Sequence, residues 1–345
     1  MDWRIIMETV KQIGKRILIF FMLIAITFIV VFKSHNFSDT IKIITTVNYR
    51  FIILAMLAMF LDFLFESLNI RNVLMALDKK VTIKNALKYT LIGFFGSGIT
   101  PAASGGQPME IYFMKNDGIP VSKSTLALLI EICAFHIVTI SSGIIGAIVN
   151  HNLIKDGFIW IFIIGISLNI IAASFLMLGL FSKKLSDWLV KIVIKLLTIF
   201  KYKKVAELEK KMLDVLDEYH KGANFIRKNK HIFIKSVIIV FFQVLMYYTV
   251  SYFVYRSFGL NNHSYFRIVS ISAMLFISIS SMPLPGTVGI SEGAFLKIYL
   301  SIYGIKKLAS AMLLNRGINF YLYMIISFVV VVIATLKLKR RTKEN

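Results

Sequence analysis

Two apolar runs of this chain are broken by the same kind of text, and those breaks constrain its fold more than any other feature. "GSGITPAASGGQPMEIYFM" (residues 96–114) and "SISSMPLPGTVGISEGAF" (residues 278–295) each place prolines, glycines and one glutamate inside an otherwise apolar stretch. In hydrocarbon every backbone N–H and C=O must be satisfied, so non-helical backbone survives there only where it is buried in protein or lines a water-filled cavity. A chain that interrupts itself twice in this way needs a protected interior at membrane depth.

The surrounding text supplies the membrane frame. Of 345 residues, 57% are hydrophobic, and complete apolar runs at about 17–34, 51–70, 124–149, 157–181, 233–256 and 308–336 each approach the roughly 20 residues that cross a bilayer. The broken runs cover 86–114 and 267–303. The expected fold is all-α: a polytopic helical bundle forming a single membrane domain over 1–345, with about six full spans and two re-entrant broken-helix hairpins. The first run follows Arg4, Lys11, Lys15 and Arg16, but "KSHNFSD" after it offers no small-residue cleavage site, so it reads as a retained span.

Charge orients the spans. A formal net charge of +22 invites a nucleic-acid reading, yet in a membrane protein excess Lys and Arg marks cytoplasmic loops and contacts with anionic headgroups. No nucleic acid is expected as a partner unless the chain is a transferase that draws on tRNA. Basic residues cluster before the first run, between Arg71 and Lys88, across 182–232 and in the tail "KLKRRTKEN", which places both termini in the cytoplasm. The broken runs then enter from opposite faces. Their texts align with Pro101 on Pro283 and Glu110 on Glu292, which predicts an inverted repeat of about 51–150 and 233–336. Between the halves, 182–232 reads as a basic amphipathic insert along the inner surface.

Each break should open onto a short helix whose inward N-terminus offers free N–H groups and a partial positive charge to an anion. Ser104 and Gln107 have capping-box spacing, which predicts a helix start near Gly105. The candidate substrate-binding residues are Gly105, Gly106, Gln107 and Glu110 at the first break, Pro285, Gly286, Gly289, Ser291 and Glu292 at the second, and Arg316 from the last run. An ionisable residue at mid-span costs at least ~2.5 kcal/mol unless it faces a cavity or a partner. Asp62 and Glu66, four apart on one helix face, together with Glu131 and His136, are therefore expected to line a polar cavity.

Other chemistries find no support. Cys133 is the single cysteine, so neither an intrachain disulfide nor a cysteine metal site can be built. No His-x-x-x-His or Glu-x-x-His spacing occurs, and no metal or cofactor is expected. "GISEG" from Gly289 has the letters of a nucleophile elbow without the strand that must precede one; no catalytic residue is assigned.

At "TPAASGGQPMEIYFMKNDGIPVSKST" and "MPLPGTVGISEGAF" the chain resembles the lysylphosphatidylglycerol synthase transmembrane family, the flippase-like membrane region of bacterial multiple peptide resistance factors. The resemblance runs from about residue 14 to 336, and Arg316 followed by Phe320 and Tyr321 matches a further feature of the family. Full-length members transfer lysine from lysyl-tRNA to phosphatidylglycerol and move the product to the outer leaflet, which repels cationic antimicrobial peptides. Two departures stand out. No soluble C-terminal synthase domain is expected from the basic tail "KLKRRTKEN" that follows the last span, and the Arg that many relatives carry after the glutamate of the third span is absent from "EICAFH". The resemblance implies a multi-pass protein of the bacterial plasma membrane acting on an anionic or aminoacylated phospholipid. Three readings follow: a lipid flippase or polyprenyl-phosphate-linked transporter, a phosphatidylglycerol lysyltransferase, or the membrane subunit of a separately encoded synthase.

Overall fold

In a computed structural model the protein is described over residues 37–154, 158–181 and 227–344, with a few isolated positions outside these ranges. The predicted first span and most of the 182–232 insert lie outside the described residues. Within them the chain is all-α, with no strand, and forms a polytopic membrane bundle. The helices are α1 (Phe37–Thr45), α2 (Tyr49–Ala76), α3 (Ile83–Gly98), α4 (Gly106–Asn116), α5 (Val121–Val149), α6 (Phe158–Phe181), α7 (Lys230–Ser257), α8 (Tyr265–Ile279), α9 (Ile290–Ile298), α10 (Leu300–Arg316) and α11 (Leu322–Glu344). Among the described residues five segments are long and apolar enough to cross a membrane: α2, α5, most of α6, α7 and the stretch Leu300–Arg340.

Local chemistry sets the helix starts. Asn48 accepts the Arg50 N–H at 3.1 Å, Thr82 that of Asn85 at 3.2 Å and Ser264 that of Arg267 at 3.3 Å, each meeting a donor that the first turn leaves unpaired. The bundle is organised on α2 and α7, which pack antiparallel along their lengths. The Asn48 N–H donates to the Ser257 carbonyl at 2.8 Å at one end of the pair, and Gln243 reaches Glu66 further along. Small residues let α8 approach closely between α5 and α6. A methyl group on Gly146 would fall 2.3 Å from the Ser270 carbonyl oxygen, and one on Gly165 would fall 2.1 Å from that of Ser278. With no hydrophobic drive between helices in lipid, such close contacts and polar bridges hold them together. Asn150 Nδ2 donates to Ser270 Oγ (2.8 Å), and Asn169 Nδ2 to the Ile277 carbonyl (3.1 Å) and Ser280 Oγ (3.0 Å).

Both broken runs fold as helix–turn–helix hairpins. In the first, α3 has 16 residues and α4 has 11, about 24 and 16 Å at 1.5 Å per residue, so neither spans a ~30 Å core. In the second, α8 has 15 residues and α9 has 9. The first hairpin starts and ends beside the Ala76 end of α2: Arg71 Nε donates to the Val81 carbonyl at 3.0 Å, and Lys88 at its entry pairs with Asp117 at its exit, where Tyr89 OH also bonds Asp117 at 2.7 Å. The second starts and ends at the opposite end, where Tyr265 OH meets Thr249 Oγ1 (2.7 Å) and Lys307 Nζ donates to the Phe258 carbonyl (3.2 Å). The turns at their tips, Pro101–Ala103 and Pro285–Thr287, lie against each other, with Cα atoms within 8 Å. Phe95, Ile99, Val288, Phe320 and Met324 form the apolar cluster that binds the tips to the last helix.

Candidate functional site

The second turn carries a closed polar network. Gly286 and Thr287 have φ of 56° and 52°, and Gly289 has φ of 90°. At Gly286 the glycine is required twice over, because a Cβ would also fall 2.2 Å from the Phe320 ring. Glu292 is the third residue of α9. Its Oε2 accepts the Gly289 N–H at 2.7 Å, as in half of a capping box, and the Ser291 hydroxyl at 2.8 Å. Its Oε1 accepts Arg316 Nε at 2.9 Å and Tyr321 OH at 3.1 Å. Arg316 Nη2 donates to the Gly286 carbonyl at 3.0 Å, and the guanidinium lies 4.3 Å from the centre of the Phe320 ring. Glu292 is 2% exposed and Arg316 6%. Two charges that deep are tolerated because they meet each other and because all four acceptor directions of the carboxylate are used.

The backbone after Arg316 explains how one carboxylate oxygen receives both Arg316 and Tyr321. Residues Gly317–Tyr321 form a π-helical segment. Its i→i+5 bonding widens the turn and brings Tyr321, five residues on, over the same oxygen as Arg316. Phe320, four residues on, stays beneath the guanidinium.

The first turn is built differently. Thr100 Oγ1 accepts the Gly105 N–H at 2.8 Å and donates to the Gly96 carbonyl at 2.7 Å. Ala102 and Ala103 hold φ of 49° and 55° without glycine's freedom, a strain that the surrounding structure must maintain. The helix start expected from Ser104 is realised one residue on: Gly105 occupies the cap position of α4, and no side chain caps it. Nor does any acidic residue occupy the first turn of α4, and Pro108 has no N–H. Gln107 and Pro101–Ser104 are exposed. This N-terminus therefore retains amide donors and positive potential that α9 already spends on Glu292.

The register between the hairpins also needs correction. The left-handed pairs Ala102–Ala103 and Gly286–Thr287, and the helix starts Gly106 and Ile290, match Pro101 to Pro285, not to Pro283. Glu110 is then the fifth residue of α4 while Glu292 is the third of α9, so the two glutamates are not equivalent. Glu110 leans on Gly93, where a Cβ would fall 1.8 Å from its Oε1. It faces a separate acidic set, with Glu131 of α5 in Coulombic reach of Glu110, Asp62 and Glu66.

The structure thus gathers Pro285, Gly286, Gly289, Ser291, Glu292 and Arg316 into one network, with Gly105, Gly106 and Gln107 on the touching turn. Asp62, Glu66 and Glu110 all stand within electrostatic range of Glu131 as a second, looser acidic set. His136 belongs to neither: it lines a groove of about 500 Å³ between α5 and α6 with Ile137, Ile140, Ser141, Ile170, Ala173 and Ser174. Five residues separate it from Glu131, about 140° around a helix that turns 100° per residue. Sequence reasoning missed Asn69, Ser236 and Gln243. Asn69 was recoverable, since it stands three residues after Glu66 and seven after Asp62 on the same face.

Two broken hairpins meeting tip to tip beside a buried ion pair, inside a bundle of membrane-length helices, define a multi-pass membrane protein with an internal polar site. The chain belongs to the family described as the lysylphosphatidylglycerol synthase TM region, whose model matches residues 16–327 and so takes in both hairpins, Arg316 and Tyr321. It is also 27% identical over 108 residues to a UPF0104 membrane protein of Archaeoglobus fulgidus. That match covers 31% of this chain and 33% of the relative, so the chain spans about a third of that protein's length.

Proposed function

We propose that the protein is a flippase-like transporter that moves an anionic or aminoacylated phospholipid between the leaflets of a bacterial plasma membrane. The observation that carries this reading is the contact between two hairpin tips that enter the bundle from opposite ends. Such discontinuous helices put amide-rich helix ends near the bilayer midplane, where transporters of inverted-repeat design hold their cargo. The lipid phosphate sits at the uncapped N-terminus of α4, against the amides of Gly106 and Gln107, while Arg316, paired with Glu292, holds the neighbouring turn in place. Because every acceptor direction of Glu292 is taken within the protein, an amine on the headgroup is assigned to Glu110, while the acyl tails remain in lipid. Rocking of the two hairpin-bearing halves about the tip contact exposes the site to each leaflet in turn. With both termini in the cytoplasm, this movement presents a cationic lipid at the outer surface, the basis of resistance to cationic antimicrobial peptides.

The test is leaflet exchange of labelled lysylphosphatidylglycerol and of plain phosphatidylglycerol in liposomes containing the purified chain. Exchange is expected to fall at least about tenfold with Arg316→Ala, which frees the second turn from Glu292 and loosens the tip contact the site needs, a tenfold change being about 1.4 kcal/mol. Glu110→Gln is expected to slow the aminoacyl lipid selectively. Exchange unaffected by both substitutions refutes the site. Lysine transfer from charged tRNA by the chain alone would replace transport with the lysyltransferase reading, and activity appearing only after a separate synthase is added would make the chain a membrane subunit.

A further inference from the structure

Four carboxylates lie apart from the Arg316 network: Asp62 and Glu66 on α2, Glu110 on α4 and Glu131 on α5, Asp62 and Glu110 buried and Glu66 and Glu131 half-buried. Asp62 and Glu110 are 7% and 6% exposed, and Glu110 Oε2 has no hydrogen-bond partner. Groups that face the cluster from the packed elements are Tyr247 and Tyr248 of α7, Tyr323 of α11 and Cys133 of α5. None of them is a cation. The buried guanidinium of Arg316 is committed to Glu292, and Lys88 is paired with Asp117.

Uncharged polar groups supply a second, independent observation. Asn69 is fully buried, and neither its Nδ2 nor its Oδ1 has a partner. Gln243, 3% exposed, is aimed into the cluster, for its Nε2 donates to Glu66 Oε2 at 3.2 Å while its own Oε1 is unpartnered. Ser236, seven residues before Gln243 on α7, is fully buried with an unpartnered hydroxyl. Orphan donors and acceptors grouped like this are normally met by bound water. Among the described residues no three of the His, Cys, Asp and Glu side chains are placed to hold a metal ion. Four neighbouring carboxylates, two of them buried and none beside a free cation, are disfavoured as four full charges, and a proton is the counter-charge that needs no chelating geometry.

We propose that Asp62, Glu66, Glu131 and Glu110 form a proton relay, hydrated through Asn69, Ser236 and Gln243, and that it drives transport by competition at Glu110. The coupling rests on the transport reading: Glu110 holds a headgroup ammonium or a proton, not both. A proton arriving through Asp62, Glu66 and Glu131 displaces the amine, and departure of the amine's successor proton resets the carboxylate. Lipid and proton therefore move in opposite directions. Intramembrane carboxylates in chains of this kind mark proton pathways in pumps and transporters.

Two readouts separate the relay from transport itself. The first is infrared difference spectroscopy on the full chain in liposomes between acidic and alkaline buffer. It is expected to show a protonated-carboxyl stretch that loses intensity in Glu66→Gln and again in Asp62→Asn. Absence of such a band, or a band unchanged by both substitutions, overturns the proposal. The second is lysylphosphatidylglycerol exchange with the membrane potential clamped. An opposing pH gradient is expected to accelerate it about tenfold, within the usual range of coupling between sites, and plain phosphatidylglycerol is expected not to respond. Glu66→Gln should abolish the acceleration and keep gradient-free exchange. A sodium gradient that reproduces the acceleration at constant pH, or exchange that ignores the pH gradient, overturns proton coupling. A carboxyl band with no lipid exchange under any gradient supports the proton site and refutes the transport reading alone.

Discussion

Breaking the Arg316–Glu292 pair gives the sharpest check on how this interior is held. Arg316→Ala removes Nε from Glu292 and Nη2 from the Gly286 carbonyl, and leaves a carboxylate that is 2% exposed without its counter-charge. Stranding one member of a buried pair costs about 3–5 kcal/mol, so a loss of about 4 kcal/mol is expected. Glu292→Gln keeps an acceptor for the Gly289 N–H but strands the guanidinium, for about 3 kcal/mol on the same grounds. The double substitution removes both charges. What remains is the lost hydrogen bonds and the packing of Arg316 over Phe320, again about 3–4 kcal/mol. Independent effects would sum to about 7 kcal/mol, so the cycle should return a coupling of about 3 kcal/mol, at the upper end for residues in direct contact. Reversible unfolding in mixed micelles, followed by circular dichroism over a titration with denaturing detergent, measures each corner. Additivity within about 0.5 kcal/mol would mean that the two charges do not sense each other, and that the second turn is held by something other than this ion pair. Raising salt should leave the coupling nearly unchanged, because buried pairs are poorly screened.

Further substitutions probe the close contacts and the orphan amide. Gly93→Ala drives a methyl into Glu110 Oε1, 1.8 Å away, and should destabilise the first hairpin by about 1–3 kcal/mol; a cross-link between cysteines placed on α3 and α4 that still forms at the wild-type rate would count against this. At the other interface, Gly165→Ala meets the Ser278 carbonyl at 2.1 Å, where backbone cannot yield as a side chain can, and loss of about 1–3 kcal/mol should appear as a lower thermal midpoint. Gly286→Ala adds a left-handed residue, about 1–2 kcal/mol, to a clash with Phe320, and unchanged stability would mean that the Phe320 ring does not rest on this turn. Asn69→Leu exchanges an unpartnered amide for an apolar side chain: with water bound there it should be destabilising by about 1–3 kcal/mol, whereas a gain in stability would show that the site is dry.

Much of the architecture could be read from the text because it follows from local chemistry. Runs such as 124–149 and 233–256 are apolar on all sides, and their helices reach from Val121 to Val149 and from Lys230 to Ser257. Prolines and glycines announced both breaks. The positions of the turns within those breaks were less legible, since matching letters favoured Pro283 and Glu292 as partners of Pro101 and Glu110. Backbone geometry chose Pro285 instead. Gly286 hints at a left-handed turn, but its counterparts Ala102 and Ala103 give no such signal, because their conformation is imposed by packing and by the bonds that Thr100 makes across the loop. A sequence comparison weighs identical residues; the chain weighs where φ turns positive.

The Glu292–Arg316 network was legible in its members and illegible in its wiring, and the reason is the π segment. From the letters "NRGINFYLY" an α-helix is the default, and its 100° per residue would place Tyr321 about 140° away from Arg316. One widened turn brings the two onto Glu292 Oε1 together. Gly317, next to Arg316, lowers local helix preference but does not specify a π turn; the bonds to Glu292 and Gly286 across the bundle do. The same tertiary wiring consumes the acceptor capacity of Glu292 and leaves that of Glu110 free. Two glutamates with similar sequence settings therefore carry different electrostatic duties. One is the internal counter-ion that holds a hairpin to the last helix, and the other is the carboxylate proposed above to take a proton or an amine. Replacing Tyr321 by Phe tests this division: the loss of a single hydrogen bond, about 1 kcal/mol, should weaken the Glu292 network and leave the pH response of the acidic cluster untouched. A shift in that response would show that the two clusters are one.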